Sequence, residues 1–165
     1  MTDKFNLSKR SISKIDKEIL KYPSSRKSSA VMAALTIIQT EKKWLNTDAI
    51  KFVAGYLEMP EISVWEVATF YNMYNTKKVG KLKLTFCTNL PCMLAGANFI
   101  VDKVKQKLKI DFNESTPDGK FTLKEGECMG ACCDATLCLI NDKKMVTNLT
   151  LENINDFIEN LANGK

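Results

Sequence analysis

The sequence predicts an α/β protein in two parts: a small helical bundle over residues 1–75, then an α/β layer over residues 76–165. Three observations predict it. Apolar residues recur at helical spacing throughout the first part. At Leu82 the period switches from helical to alternating. All six cysteines fall in the second part, between positions 87 and 138.

The opening helix is carried by Ile15 and Ile19 and stops before Pro23, which a helix interior does not accommodate. Val31, Ala34, Leu35 and Ile38 fall at i, i+3, i+4, i+7, the signature of one buried helical face. Ile50, Val53, Ala54 and Leu57 repeat it. Asn46-Thr47-Asp48 supplies N-cap candidates, and Pro60 follows the end. Val64, Val67, Ala68 and Tyr71 form a third set, and Ser63-x-x-Glu66 reads as a capping box at its start.

Leu82, Leu84 and Phe86 then alternate with Lys81, Lys83 and Thr85, a half-buried strand. Leu94, Ala97, Val101, Val104 and Leu108 return to helical spacing. Pro117-Asp118-Gly119 is a turn, Pro fixing φ and Gly permitting a positive one. Phe121 and Leu123 mark a second strand, and Leu137–Ile140 a third. Leu151, Ile154, Ile158 and Leu161 line a last helix with Thr150 as its cap.

The composition mainly excludes. In 165 residues there are 24 Lys and Arg, 19 Asp and Glu, six Cys and no His. Without histidine there is no Ser-His-Asp triad, no Cys-His nucleophile pair and no mixed Cys/His zinc site. The seven glycines build neither G-x-G-x-x-G nor a P-loop, so neither motif is available for a nucleotide. The apolar runs are too short to cross a membrane. The polar stretch Met1–Arg10 does not read as a secretory signal, and Asp3 argues against a transit peptide, so a cytoplasmic chain is expected. Residues 1–75 carry 11 basic and 8 acidic side chains against 13 and 11 in the rest, so charge is read as spread out. The lysine groups 77, 78, 81, 83 and 103, 105, 107, 109 are read as a strand border and a helix end rather than as a nucleic-acid patch.

The cysteines carry the chemistry. Cys87 and Cys92 are spaced C-x4-C, and Cys128 and Cys132 C-x3-C, each pair where a predicted strand ends. Two thiolate pairs on facing loops suit a [2Fe–2S] cluster, which takes two thiolates on each iron. Pro91 stiffens the first loop, Gly130 and Ala131 allow close backbone approach, and Leu90, Met93 and Leu94 are expected to shield the site. Zinc knuckles favour C-x2-C, which is absent, yet a structural four-cysteine zinc module stays open. Disulfides stay open on the even count. Cys133 and Cys138 read as bystanders, small hydrophobes by default.

At this point the sequence resembles a known family, the thioredoxin-like [2Fe–2S] ferredoxins that serve as the E subunits of NADH:quinone oxidoreductases, respiratory complex I. The resemblance rests on Tyr22-Pro23 with Ser29-Ala30-Val31, on Trp44-Leu45, and on Glu66-Val67-Ala68-Thr69-Phe70-Tyr71. It continues through Val79-Gly80-Lys81, Cys87-Thr88, Pro91-Cys92-Met93-Leu94 and Glu127-Cys128-Met129-Gly130-Ala131-Cys132. It implies a thioredoxin-like α/β domain behind the bundle, and one [2Fe–2S] cluster held by Cys87, Cys92, Cys128 and Cys132. It also implies docking on a larger flavoprotein subunit that binds NADH and FMN, with the cluster near the flavin but off the main wire to quinone. By the same resemblance the complex is peripheral at the cytoplasmic face of the inner membrane, and this chain neither enters the membrane nor binds nucleic acid. Equivalent subunits of NAD-linked formate dehydrogenases and NAD-reducing hydrogenases fit the same residues. The chain departs from the family at Ala135-Thr136, where an Ala-Pro step is usual; losing that Pro loosens the turn by about 0.5–1 kcal/mol. Trp44, Trp65, Phe70 and Tyr74 are candidate docking aromatics, with core packing the simpler use.

Overall fold

The computed structural model describes residues 5–164, which divide into two compact units, one ending at Lys78 and the other beginning at Val79. The first four residues of the Met1–Arg10 stretch, Asp3 included, lie outside the described residues.

The first unit is helical. Four helices, α1 (Lys9–Ile19), α2 (Val31–Lys42), α3 (Thr47–Leu57) and α4 (Glu61–Phe70), surround a core of Ile15, Leu35, Ile38, Ile50, Leu57 and Val64, each almost fully buried. A 3-10 segment, Ser24–Ala30, links α1 to α2. Ser8 caps α1 with its side-chain oxygen accepting from Ser11 N, and Asn46 caps α3 by accepting from Ala49 N. Lys43 and Glu58, at φ 74° and 56°, end α2 and α3 in the left-handed conformation. The expected Ser63–Glu66 capping box does not form. Helix α4 starts three residues earlier, after Pro60 in extended geometry, so Ser63 already lies inside the first turn and its N–H bonds to Pro60 O. Tyr74 is core, its hydroxyl donating to Met32 O at 2.9 Å, whereas Phe70 stands 78% exposed.

The second unit is a four-stranded sheet of order β2-β1-β3-β4, from β1 (Leu82–Cys87), β2 (Phe121–Gly126), β3 (Cys138–Ile140) and β4 (Lys144–Val146). β1 runs parallel to β2, and β3 antiparallel to both β1 and β4. Leu84, Phe86, Leu123, Cys138 and Ile140 share one face with Ile100, Val101 and Val104 of α6 (Ala97–Leu108) and Ile154 and Ile158 of α7 (Ile154–Ala162). The single helix expected over Leu94–Leu108 is two. A short α5 (Leu90–Leu94) is separated from α6 by Gly96, whose φ of 95° no helix interior admits. The last helix begins at Ile154, after a turn in which Thr150 N donates to Asn153 Oδ1. Lys103 bonds to Leu151 O, Lys107 pairs with Glu159, and Lys105 pairs with Asp111. Three lysines of that group are therefore used within the unit. Among the described residues no helix is long and apolar enough to cross a membrane.

Candidate metal centre

Parallel pairing of β1 with β2 sets the site. Their register runs from Leu82 opposite Phe121 to Cys87 opposite Gly126, so both strands deliver their next residues at the same end of the sheet. The junction is tied by main chain on both sides: Cys87 N donates to Leu137 O at 3.2 Å, and Thr88 N to Gly126 O at 3.0 Å.

After Cys87 the chain enters α5, where Pro91 lies in the first turn and needs no N–H there. The turn puts Cys92 inside, 1% exposed. Leu90, Met93 and Leu94 face outward at 59%, 41% and 78%. They do not shield the site within this chain; the side of α5 away from Cys92 is open and apolar. After Gly126 the second loop passes Glu127, whose carbonyl accepts from the Cys87 thiol at 3.4 Å. Gly130 reverses the chain at φ 72°, with open space where a Cβ would stand, so it serves backbone conformation rather than close approach. Cys132 opens a 3-10 turn, Cys132–Asp134. Cys87, Cys92, Ala97 and Leu137 form a small apolar cluster of their own, with Met129, Ala131 and Ala135 against it.

The predicted residues are thus two buried thiols from the first loop, Cys87 and Cys92, and two exposed ones from the second, Cys128 and Cys132. They interact. The Cys92 thiol is pushed up to about 11, chiefly by burial, then by hydrogen bonding and charge from Cys87, and by the charges of Cys132 and Cys128. The groups that act on Cys92 are the other three of the predicted four. Cys133 is exposed beside Cys132, and Cys138 is buried within β3, where burial pushes its thiol far up.

Burial thus favours the protonated form of Cys92 in the cluster-free chain. Such a thiol becomes a thiolate when a cation compensates the charge. Among the described residues no three His, Cys, Asp or Glu side chains converge in the manner of a single-ion site. Two thiol pairs on loops that start at the same end of the sheet are the donor set a binuclear [2Fe–2S] core takes, two thiolates on each iron. Sequence reasoning missed the part played by Gly126. A Cβ there would meet Thr85 Cγ2 at 2.8 Å and Met129 Cε at 2.9 Å, so only glycine lets the second loop leave the strand without displacing them. The signal available was its place immediately before the Glu127-Cys128 motif.

Residues 15–162 match the model of a family described as thioredoxin-like [2Fe-2S] ferredoxin. The chain is 40% identical over 164 residues to the E subunit of the NADH-quinone oxidoreductase of Rickettsia felis, covering 99% of this chain and 98% of that one. It is 42% identical over 160 residues to the corresponding chain of Rickettsia bellii, covering 96% and 95%. Among solved structures it is similar to a chain of an NAD+-reducing [NiFe]-hydrogenase in the air-oxidized state, with a TM-score of 0.73 and 18% identity. There 87% of this chain is matched, but it spans only 24% of the hydrogenase chain, and the likeness is one of fold.

Proposed function

The chain belongs to the thioredoxin-like [2Fe-2S] ferredoxin family, and from that premise we propose that it is the electron-transfer subunit of an NADH:quinone oxidoreductase. Its place is beside the FMN of an NADH-binding flavoprotein subunit, peripheral to the cytoplasmic face of the membrane. Cys87, Cys92, Cys128 and Cys132 hold one [2Fe–2S] cluster; FMN and NADH belong to the partner. The observation that carries the reading is that β1 and β2, paired in parallel to Cys87 and Gly126, start both cysteine loops at the same end of the sheet, in a chain whose residues 15–162 match the family.

The cluster supplies a one-electron centre when bound. The chain's own contribution is geometric. The parallel strands fix where the two loops start, α5 turns Cys92 inward, and Gly130 reverses the chain between Cys128 and Cys132. Burial of Cys87 and Cys92 excludes water from one side, while Cys128 and Cys132 stay open on the other. With no histidine, an all-thiolate donor set places the centre among low-potential clusters rather than Rieske types. Relatives that match this chain end to end bear the quinone oxidoreductase name, which favours that parent complex over the hydrogenase, whose likeness is of fold.

Anaerobic purification tests the reading. A brown protein with iron, acid-labile sulfide and a rhombic EPR signal after dithionite is expected. Cys87→Ala and Cys128→Ala should lose the cluster, and Cys138→Ala should keep it. A colourless protein with stoichiometric zinc overturns the assignment.

A further inference from the structure

The chain's excess of positive charge is not spread out but gathered on the first helical turns and the segment after them. Residues 9–27 hold seven basic side chains against two acidic ones, an excess of five, and the remaining residues balance. Within that segment Arg10, Lys14, Lys17 and Lys21 are spaced by four, three and four residues, which places them along one stripe of α1 and its terminal turn. All four are exposed. Lys21 is paired with Glu18 at 2.7 Å; among the described residues Arg10, Lys14 and Lys17 show no ion pair. Where the helix ends, a shallow groove of about 560 Å³ opens between Asp16, Ile19, Leu20, Lys27, Gly55 and Tyr56. Leu20 stands at its edge 82% exposed, and a Cβ at Gly55 would meet nothing. Lys27 and Asp16 are held in place there, by Glu58 at 2.8 Å and by the Tyr56 hydroxyl at 2.5 Å.

We propose that the basic stripe of α1, with the groove at its end, is a docking surface for an acidic segment of another protein chain. The partner sets a row of Asp or Glu side chains along Arg10, Lys14 and Lys17 and seats an apolar side chain in the groove. The surface excludes other anionic partners on physical grounds. The apolar side of α1 is already packed in the bundle through Ile15, so the helix cannot lie in a bilayer as amphipathic anchors do. A nucleic-acid backbone offers nothing apolar to Leu20, and it would meet the Asp16 carboxylate in the groove wall. Complementary charge of this kind sets orientation and speeds encounter, leaving the groove to supply apolar burial.

This inference rests on the assembly reading above, and the experiment separates the two. The complex is purified through a tag on this chain, and its lysines are acetylated in the complex and in the isolated chain. Labelling of Lys14 and Lys17 should fall several-fold on assembly. Carbodiimide coupling should join one of them to an Asp or Glu of a co-purifying chain, identified by mass spectrometry. K14E/K17E, which leaves every buried side chain in place, should lower the salt concentration at which this chain leaves the complex. Equal labelling of both lysines in a complex that does form overturns the inference and leaves the assembly intact. Absence of any co-purifying chain overturns both. Binding of the isolated chain to phosphatidylglycerol vesicles or poly(U) RNA that K14E/K17E abolishes, without protection in the complex, assigns the stripe elsewhere and overturns the proposal.

Discussion

Cys87 and Gly126 face one another at the last paired position of two parallel strands. One begins the first cysteine loop and the other releases the second, so substitution at Gly126 acts on the spacing between loops without touching a thiol. In Gly126→Ala the new methyl meets the stiff Thr85 side chain and the flexible end of Met129. Overpacking of this kind costs about 1–2 kcal/mol, since Met129 can give way. At Gly80 the same methyl would meet only main chain, Phe121 C at 2.9 Å and the carbonyls of Gly119 and Phe121 at 3.0 Å. Gly80→Ala should therefore lower the thermal midpoint more than Gly126→Ala. Gly126→Ala alone should reduce the iron retained per chain. Thermal melts with iron analysis of both variants check the contrast.

The six thiols should divide into reactivity classes set by burial. In the cluster-free chain at neutral pH, iodoacetamide should modify the exposed Cys128, Cys132 and Cys133 first and the buried Cys87 and Cys92 slowly. Cys138 should react only on unfolding, because burial holds its thiol protonated. Loading with iron and sulfide should protect Cys128 and Cys132 and leave Cys133 reactive. Peptide mass spectrometry distinguishes these positions. Protection of Cys133 with continued reactivity of Cys132 would exchange their roles.

What the sequence revealed follows from which interactions are local. The helical period of Val31–Ile38 and the alternation of Leu82–Phe86 are imposed by burial on one side, so both are readable in a single strand or helix. The C-x4-C and C-x3-C pairs are local too. The unread features are non-local. β4 has only Lys144, Met145 and Val146, exposed or half-exposed, and exists because it pairs with β3. Ser63 fits a capping pattern, but Pro60 sets the start of α4 first. The Ala135-Thr136 bond, where the resemblance leads one to expect an Ala-Pro step, is cis. There the Thr136 hydroxyl donates to Leu149 O at 2.7 Å, and Leu149 N donates back to Thr136 O at 3.0 Å. The Thr136 hydroxyl bond is a tie that proline could not make, and the sequence alone does not place Leu149 beside it. The basic stripe is hidden in a comparison of chain halves because that comparison averages it away.

Glu41 should govern stability in acid. It lies at the end of α2 and accepts from Ser8 N at 3.1 Å and Ser8 Oγ at 2.7 Å, placing a carboxylate at the N-terminus of α1. Hydrogen bonds from Ser11 and Ser8 hold its pKa at about 2, below the ordinary 4.5. A depressed carboxyl contributes stability above its unfolded pKa and loses it as pH falls toward the folded one. Glu41→Gln should therefore cost about 1 kcal/mol at neutral pH, after allowance for solvent. The gap from wild type should close between about pH 4.5 and pH 2. Urea midpoints measured across that range check it; a constant gap would assign the loss to packing.

Lys83 should be costly to isolate and cheap to replace. Its ammonium reaches Asp142 at 2.5 Å from within the sheet, with side-chain exposures of 3% and 30%. Asp142 sits in the β3–β4 turn at φ 57°, a conformation Asn also accepts, so Asp142→Asn removes charge without adding backbone strain. Weakening one side of a buried pair leaves a poorly compensated charge, a loss of about 3–5 kcal/mol when both groups are fully buried. Asp142 is partly solvated, and about 1–3 kcal/mol is expected here. Lys83→Met removes the ammonium and keeps an unbranched apolar side chain of similar reach. In the Lys83→Met background Asp142→Asn should then cost less than about 0.5 kcal/mol, because no buried charge remains for Asp142 to compensate. Urea denaturation of the two single variants and the double variant gives the coupling directly. Additive losses would mean that the pair contributes no coupling and that Asp142 acts through the turn alone.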